Sequence, residues 1–152
     1  MSDEYYMQIA LEQAQIAAAQ NEIPVGAVLV DEDGFIIAKN HNMIETFNDP
    51  TAHAEMLVIH EATKILGLRL TGSTLYVTME PCAMCAGALV LARIRRLVYA
   101  VPSPYGAAES LFNVTNNSCL NHQLEVTAGC LETEAKFVLK KFFISKRSTT
   151  PT

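Results

Sequence analysis

Apolar residues recur at helical spacing over residues 3–20. Met7, Ala10, Leu11, Ala14, Ala17 and Ala18 share one face, and Ser2 or Asp3 can cap the start. The Ala-rich face suits close packing on a sheet. Ile23-Pro24 ends the pattern, and the continuous apolar run Val25–Val30 has the length of a strand. Asp33-Gly34 predicts a turn and Phe35–Ala38 the antiparallel return strand. Residues 41–49 are polar and irregular. Asp49-Pro50 then predicts a helix to about Leu66, with Asp as cap and Pro at the first helical position, so that His53 and Glu55 fall in its first turn. Thr74–Met79 reads as a third strand, and Pro81 opens a third helix. Arg95–Val101 reads as a fourth strand, followed by a loop over 102–120 and a fifth strand over Leu124–Thr127. A last helix is expected over 130–146, with Leu131, Ala135, Val138, Leu139 and Phe142 as its buried stripe and Phe143 beside it. Ser148–Thr152 reads as a frayed tail.

Composition narrows this picture. The chain has 152 residues, half of them hydrophobic, with little Gly or Pro. That is one domain, 1–152, without repeat or linker. The apolar runs are far shorter than the roughly 20 residues of a membrane helix. Met1-Ser2-Asp3-Glu4-Tyr5 is acidic where a secretory leader is basic, so the expected compartment is the cytoplasm, where thiols stay reduced. The net charge of −5 hides an asymmetry: residues 1–80 carry three basic and twelve acidic side chains, residues 81–152 eight and four. Positive charge gathers at Arg93, Arg95 and Arg96 and along Lys136, Lys140, Lys141, Lys146 and Arg147. Such clusters can follow a phosphate backbone, or can equally be a solvated helix face favoured by the helix dipole.

The candidate chemistry lies in Thr51-Ala52-His53-Ala54-Glu55 and Glu80-Pro81-Cys82-Ala83-Met84-Cys85. One imidazole and two thiolates suit zinc, and three protein ligands leave a tetrahedral corner for water, as a catalytic site requires. Zinc lowers the pKa of its water towards neutrality, and Glu55 can move the proton to a leaving nitrogen. Cys-x-x-Cys alone could be a redox pair or half of a structural site. A structural site needs a fourth ligand, for which Cys119, Cys130, His41, His60 and His122 are the spare candidates. The combination of His-x-Glu with Pro-Cys-x-x-Cys is the signature of the zinc nucleobase deaminases. The Asn42 amide can read a base edge, or serve as a turn residue. Phe142 and Phe143 can stack an unpaired base if exposed, or pack on the sheet.

On these motifs the chain resembles the cytidine deaminase-like superfamily. Its flanking text is similar to the bacterial tRNA-specific adenosine deaminases: Pro24–Val28, Asp49–Glu55, Thr74–Ala88, Arg93-Ile94, Gly106–Ala108, Asn121-His122 and Phe142-Phe143. The resemblance implies a three-layer α/β/α fold with a five-stranded mixed sheet and a homodimer with each active site near the partner subunit. It also implies conversion of a wobble adenosine in a tRNA anticodon to inosine. By position it implies one zinc per subunit held by His53, Cys82 and Cys85, with Glu55 as proton shuttle and Asn42 and Ala54 as substrate-binding residues. Arg93, Lys140, Phe142, Phe143, Lys146 and Arg147 are then the RNA-contacting candidates, and the implied partner is the anticodon stem-loop of an arginine tRNA. One stretch departs from the family. Its Asp-x-Lys-x-Gly pattern after the fourth strand is replaced by Val101-Pro102-Ser103-Pro104-Tyr105-Gly106, without the acid or the lysine. That supports the alternative of a free nucleobase, nucleoside or nucleotide substrate of guanine or cytosine type, which the similarity along the whole chain opposes. An inactive RNA-binding subunit with structural zinc is a third reading, against which an intact Glu55 stands.

Overall fold

A computed structural model describes residues 1–149, with side chains to Arg147. The elements follow in the order α1 (Asp3–Ala19), β1 (Gly26–Val30), β2 (Ile36–His41), α2 (Ile44–Phe47), α3 (Ala54–Leu66), β3 (Thr74–Met79), α4 (Ala83–Leu91), β4 (Arg96–Val101), β5 (Glu125–Ala128) and α5 (Glu132–Thr149). The strands form one mixed sheet in the order β2-β1-β3-β4-β5. β1 is antiparallel to both of its neighbours, while β3, β4 and β5 run parallel.

Every residue of β1 is buried because the sheet is covered on both faces, which explains its unbroken apolar run. Alternate residues divide between two cores. Ala27, Leu29, Leu75, Val77, Leu97 and Tyr99 pack with Ala54, Val58 and Ala62 of α3 and Leu89 of α4. Val28, Val30, Tyr76, Val98 and Ala100 pack with Met7, Ala10 and Leu11 of α1 and Ala135 of α5. The layering is α/β/α, as the resemblance implies. The alanines of α1 let its backbone reach the sheet: a Cβ on Gly26 would lie 2.0 Å from the Ala10 carbonyl oxygen. Asp3 fastens the start of α1, pairing with the Arg96 guanidinium through two bonds of 2.8 Å and accepting from the Tyr76 hydroxyl.

Element boundaries differ from expectation where side chains compete for backbone groups. Asp49 does not open α3: its carboxylate accepts from Thr51 N and Oγ1 and closes a separate turn, and the helix starts at Ala54. Pro81 likewise lies outside α4, which starts at Ala83 after Cys82. The stretch 41–49 holds a single helical turn, Ile44–Phe47. α5 continues to Thr149, so residues 148–149 are helical instead of frayed, and residues 150–152 of the expected tail lie outside the described residues. Among the described residues no helix is long and apolar enough to cross a membrane.

Candidate metal centre

The antiparallel and parallel pairings bring five strand ends to one end of the sheet: the start of β1 and the ends of β2, β3, β4 and β5. Two helix N-termini meet there. His53 is the N-cap of α3 in extended conformation, and Cys82 is the N-cap of α4, which puts Cys85 one turn on, in the first turn of that helix. His53 therefore precedes the helix, whereas Glu55 lies in its first turn as expected.

His53 Nδ1 lies 3.7 Å from Cys82 Sγ and 3.5 Å from Cys85 Sγ, and all three donor atoms fall within 4.8 Å of one another. Bonds of about 2.3 Å to sulfur and 2.0–2.1 Å to nitrogen at tetrahedral angles would separate sulfur from nitrogen by about 3.6 Å. Both sulfur–nitrogen sides of the triangle thus match the spacing of zinc ligands. The His53 ring also bonds the Pro50 carbonyl, the kind of partner that fixes which ring nitrogen faces a metal. Hydrogen bonds from Cys85 and then His53 bring the Cys82 thiol down to about 3, while the Cys85 thiol is driven up by its bond to Cys82 and by burial. His53 is raised chiefly by its bond to Cys82.

Glu55 is 4% exposed. Burial pushes its carboxyl up to about 7, poised to exchange a proton near neutral pH. It stands outside the three-donor triangle. Asn42 is buried too, and its Oδ1 accepts from Ala54 N–H at 2.8 Å. This bond occupies the Ala54 N–H and leaves the Asn42 amide nitrogen to bond elsewhere; Ala54 itself is fully buried. The spare ligand candidates stay away from the triangle. His41 contacts Gln13 and Gln20, His122 binds the Ile94 carbonyl, and His60 and Cys119 are exposed. Among the described residues no second such group of three donors forms, so a structural site with a fourth protein ligand finds no support.

The RNA-contacting candidates divide into three groups. Lys140, Phe143 and Arg147 line one groove of about 500 Å³ on α5. Phe142 and Lys146 line another of about 490 Å³ between α5 and α1, with Lys146 Nζ 5.7 Å from the Phe142 ring centre. Phe142 is buried and Phe143 exposed, so only the second offers a face for stacking. Arg93 lies beyond the far end of α4 from Cys85, about 12 Å along the helix, and bonds the Asn121 carbonyl. The structure does not bring it to the triangle.

Two buried carboxylates were given no role by the sequence, although Glu80 opens the Glu80-Pro81-Cys82 motif. Glu22 accepts from Glu45 N, Thr46 N and Thr46 Oγ1 and so holds α2. Glu80 holds the segment after β4. Burial acts to raise both carboxyls, but their hydrogen bonds outweigh it and keep them below the usual range.

Residues 1–101 match the model of the cytidine and deoxycytidylate deaminase zinc-binding region, and the chain belongs to that family of zinc-binding deaminases. Its similarity to particular members runs through almost the whole chain. It is 50% identical over 143 residues to the tRNA-specific adenosine deaminase of Bacillus subtilis, covering 93% of this chain and 88% of the relative. It is 45% identical to that of Aquifex aeolicus, covering 97% and 98%. A solved structure from work on A-to-I editing by tRNA:A34 deaminases at the wobble position superposes with a TM-score of 0.84 at 44% identity, over 89% of this chain and 99% of that one. The guanine deaminase of Nitrosomonas europaea superposes with a TM-score of 0.81 at 25% identity, over 93% and 84%.

Proposed function

We propose that this protein is a hydrolytic deaminase that converts the wobble adenosine of a tRNA to inosine. It acts as a single domain over 1–152 and as a cytoplasmic homodimer, on the anticodon stem-loop of an arginine tRNA. The observation that carries the reading is Glu55, buried beside three donors set at zinc-ligand spacing, in a chain similar along its length to tRNA-specific adenosine deaminases.

His53, Cys82 and Cys85 are the residues that hold the zinc. When bound there, zinc supplies the Lewis acidity that makes water a nucleophile at neutral pH. The residues of the chain do the rest. Asn42 donates its amide N–H to the base, kept in place by the bond from Ala54. Glu55 takes a proton from the attacking water and gives it to the ring nitrogen, then takes the remaining proton from the hydroxyl formed at C6 and gives it to the departing amine. Water and adenosine give inosine and ammonia. An anticodon-loop base is already unpaired, so placing it in the pocket costs less than extrusion from a duplex. Lys140, Phe143 and Arg147 on one side of α5, and Lys146 on the other, offer charge and a stacking face to the loop.

A second reading, deamination of a free base, nucleoside or nucleotide, draws on the likeness to a guanine deaminase and on the absence of acid and lysine from 101–106. The test is product analysis with purified, zinc-analysed protein on an arginine-tRNA anticodon stem-loop, beside adenosine, adenine, guanine, cytosine and cytidine. Inosine confined to the wobble position is the expected result. Turnover of a free base or nucleoside alone would replace the first reading with the second.

A further inference from the structure

Between β4 and β5 the chain runs from Pro102 to Leu124 without a helix or strand. Connections longer than about 12–15 residues without secondary structure are either functional or disordered. This one is ordered at its beginning by Glu80, two residues before Cys82. The Glu80 side chain is 3% exposed. One oxygen accepts from Ala108 N, Glu109 N and Ser110 N at 3.1, 2.8 and 3.0 Å; the other accepts from Ser103 N at 3.1 Å and from the Ser110 hydroxyl. No Lys or Arg pairs with it among the described residues. Backbone N–H groups of one segment take the place of a counter-ion. Gly106 completes the fit, since a Cβ there would lie 2.1 Å from the Glu80 carboxyl carbon. The same segment is tied to the metal-site turn by Ala107 N donating to the Pro81 carbonyl at 2.8 Å, and it leaves Tyr105 74% exposed.

We propose that Glu80 is a positioning residue: its carboxylate fastens residues 103–110 against the Pro81-Cys82 turn and fixes the wall that a polynucleotide meets around the reacting base. The assignment of a polynucleotide rests on the functional reading above; the fastening does not. Glu80 touches neither the metal donors nor the base in this scheme and acts through the segment it holds.

The test uses E80Q, G106A and the double variant. An amide in place of the carboxylate turns a donor towards either Ser103 N or the three N–H groups at the other oxygen. A methyl at Gly106 pushes the segment off an intact carboxylate. Each single variant is expected to raise KM for the anticodon stem-loop about tenfold or more, with kcat within about threefold and one zinc per chain retained. Each is also expected to speed amide hydrogen exchange over 103–111. The double variant should be no worse than the poorer single one, because both break the same contact. Unchanged exchange in E80Q would overturn the proposal, as would additive effects of the two substitutions. Loss of zinc with a fall in kcat would also overturn it, by making Glu80 a support of the ligand turn. Inactivity of the wild type on the stem-loop sinks the functional reading alone, and the exchange comparison still decides the fastening.

Discussion

Replacing Glu55 by Gln separates the chemistry of the site from its architecture. Glu55 is 4% exposed, and its burial disfavours the charged form enough to push the carboxyl up to about 7. A neutral amide of the same shape therefore removes a charge that the fold tolerates poorly, so stability near pH 8 should not fall. Glu55 also stands outside the donor triangle, so zinc content should stay at one per chain. Catalysis should suffer in contrast. A positioned general acid–base contributes about 10²–10⁴-fold, which is about 3–5 kcal/mol of barrier. The measurement pairs zinc analysis and thermal unfolding with single-turnover inosine formation. E55Q is expected to be folded and zinc-loaded, with a rate reduced by about 10²–10⁴. Turnover within a few-fold of wild type would refute the role given to Glu55. Loss of zinc or of fold would refute the separation of base from ligand.

Other perturbations test other parts of the structure. G26A places a methyl 2.0 Å from the Ala10 carbonyl oxygen; a cost of about 3 kcal/mol or more is expected, lowering Tm by roughly 6–12 °C in a thermal melt. Chelation should abolish activity and lower Tm, both restored by added zinc, whereas C82S should lose zinc without rescue; chelator-resistant activity would count against the metal centre. Burial lowers the His41 pKa from 6.5, with Glu22 opposing. The folded state then binds fewer protons than the unfolded one, so stability falls as pH drops below about 6.5. Chemical denaturation at pH 7.5 and 5.5 should show a smaller acid loss in H41Q than in wild type. Glu22 adds its own loss only below its usual 4.5, a separate window.

The elements whose cores are periodic were legible because their patterns follow from local geometry. Met7, Ala10, Leu11 and Ala14 line the buried face of α1, and the β1 run is buried throughout. On α5 the stripe held in part: Ala135 and Phe142 are buried, Val138 and Leu139 are half-buried, and Leu131 precedes the helix, which starts at Glu132 and not at 130. Helix starts were less legible. Asp49 and Pro50 look like a cap and a first helical residue, yet the Asp49 carboxylate is taken by Thr51. Local rules allow both uses of that side chain, and the Asn42 bond to Ala54 N–H supplies the N-terminus of α3 from another strand connection.

By itself the sequence marked out His53, Cys82 and Cys85 as candidate donors and Glu55 as the proposed base, because zinc ligation requires particular atoms and only a few residue types carry them. It also marked β1 as an unbroken apolar run, whereas the covering of the sheet on both faces was implied only by the family resemblance. Only the tertiary structure decided how the pieces act together. His53 and Cys82 are 29 positions apart in the chain, and Nδ1 and Sγ come within 3.7 Å because β3 returns both helix starts to one end of the sheet. The roles of Glu22 and Glu80 were also decided there. Glu22 stands in the sequence as a lone charge and Glu80 only as the opening of a metal-ligand motif; what makes these two carboxylates anchors is the set of backbone N–H groups that the fold aims at them. Those donors belong to every residue alike, so sequence carries no mark of them until the chain has closed.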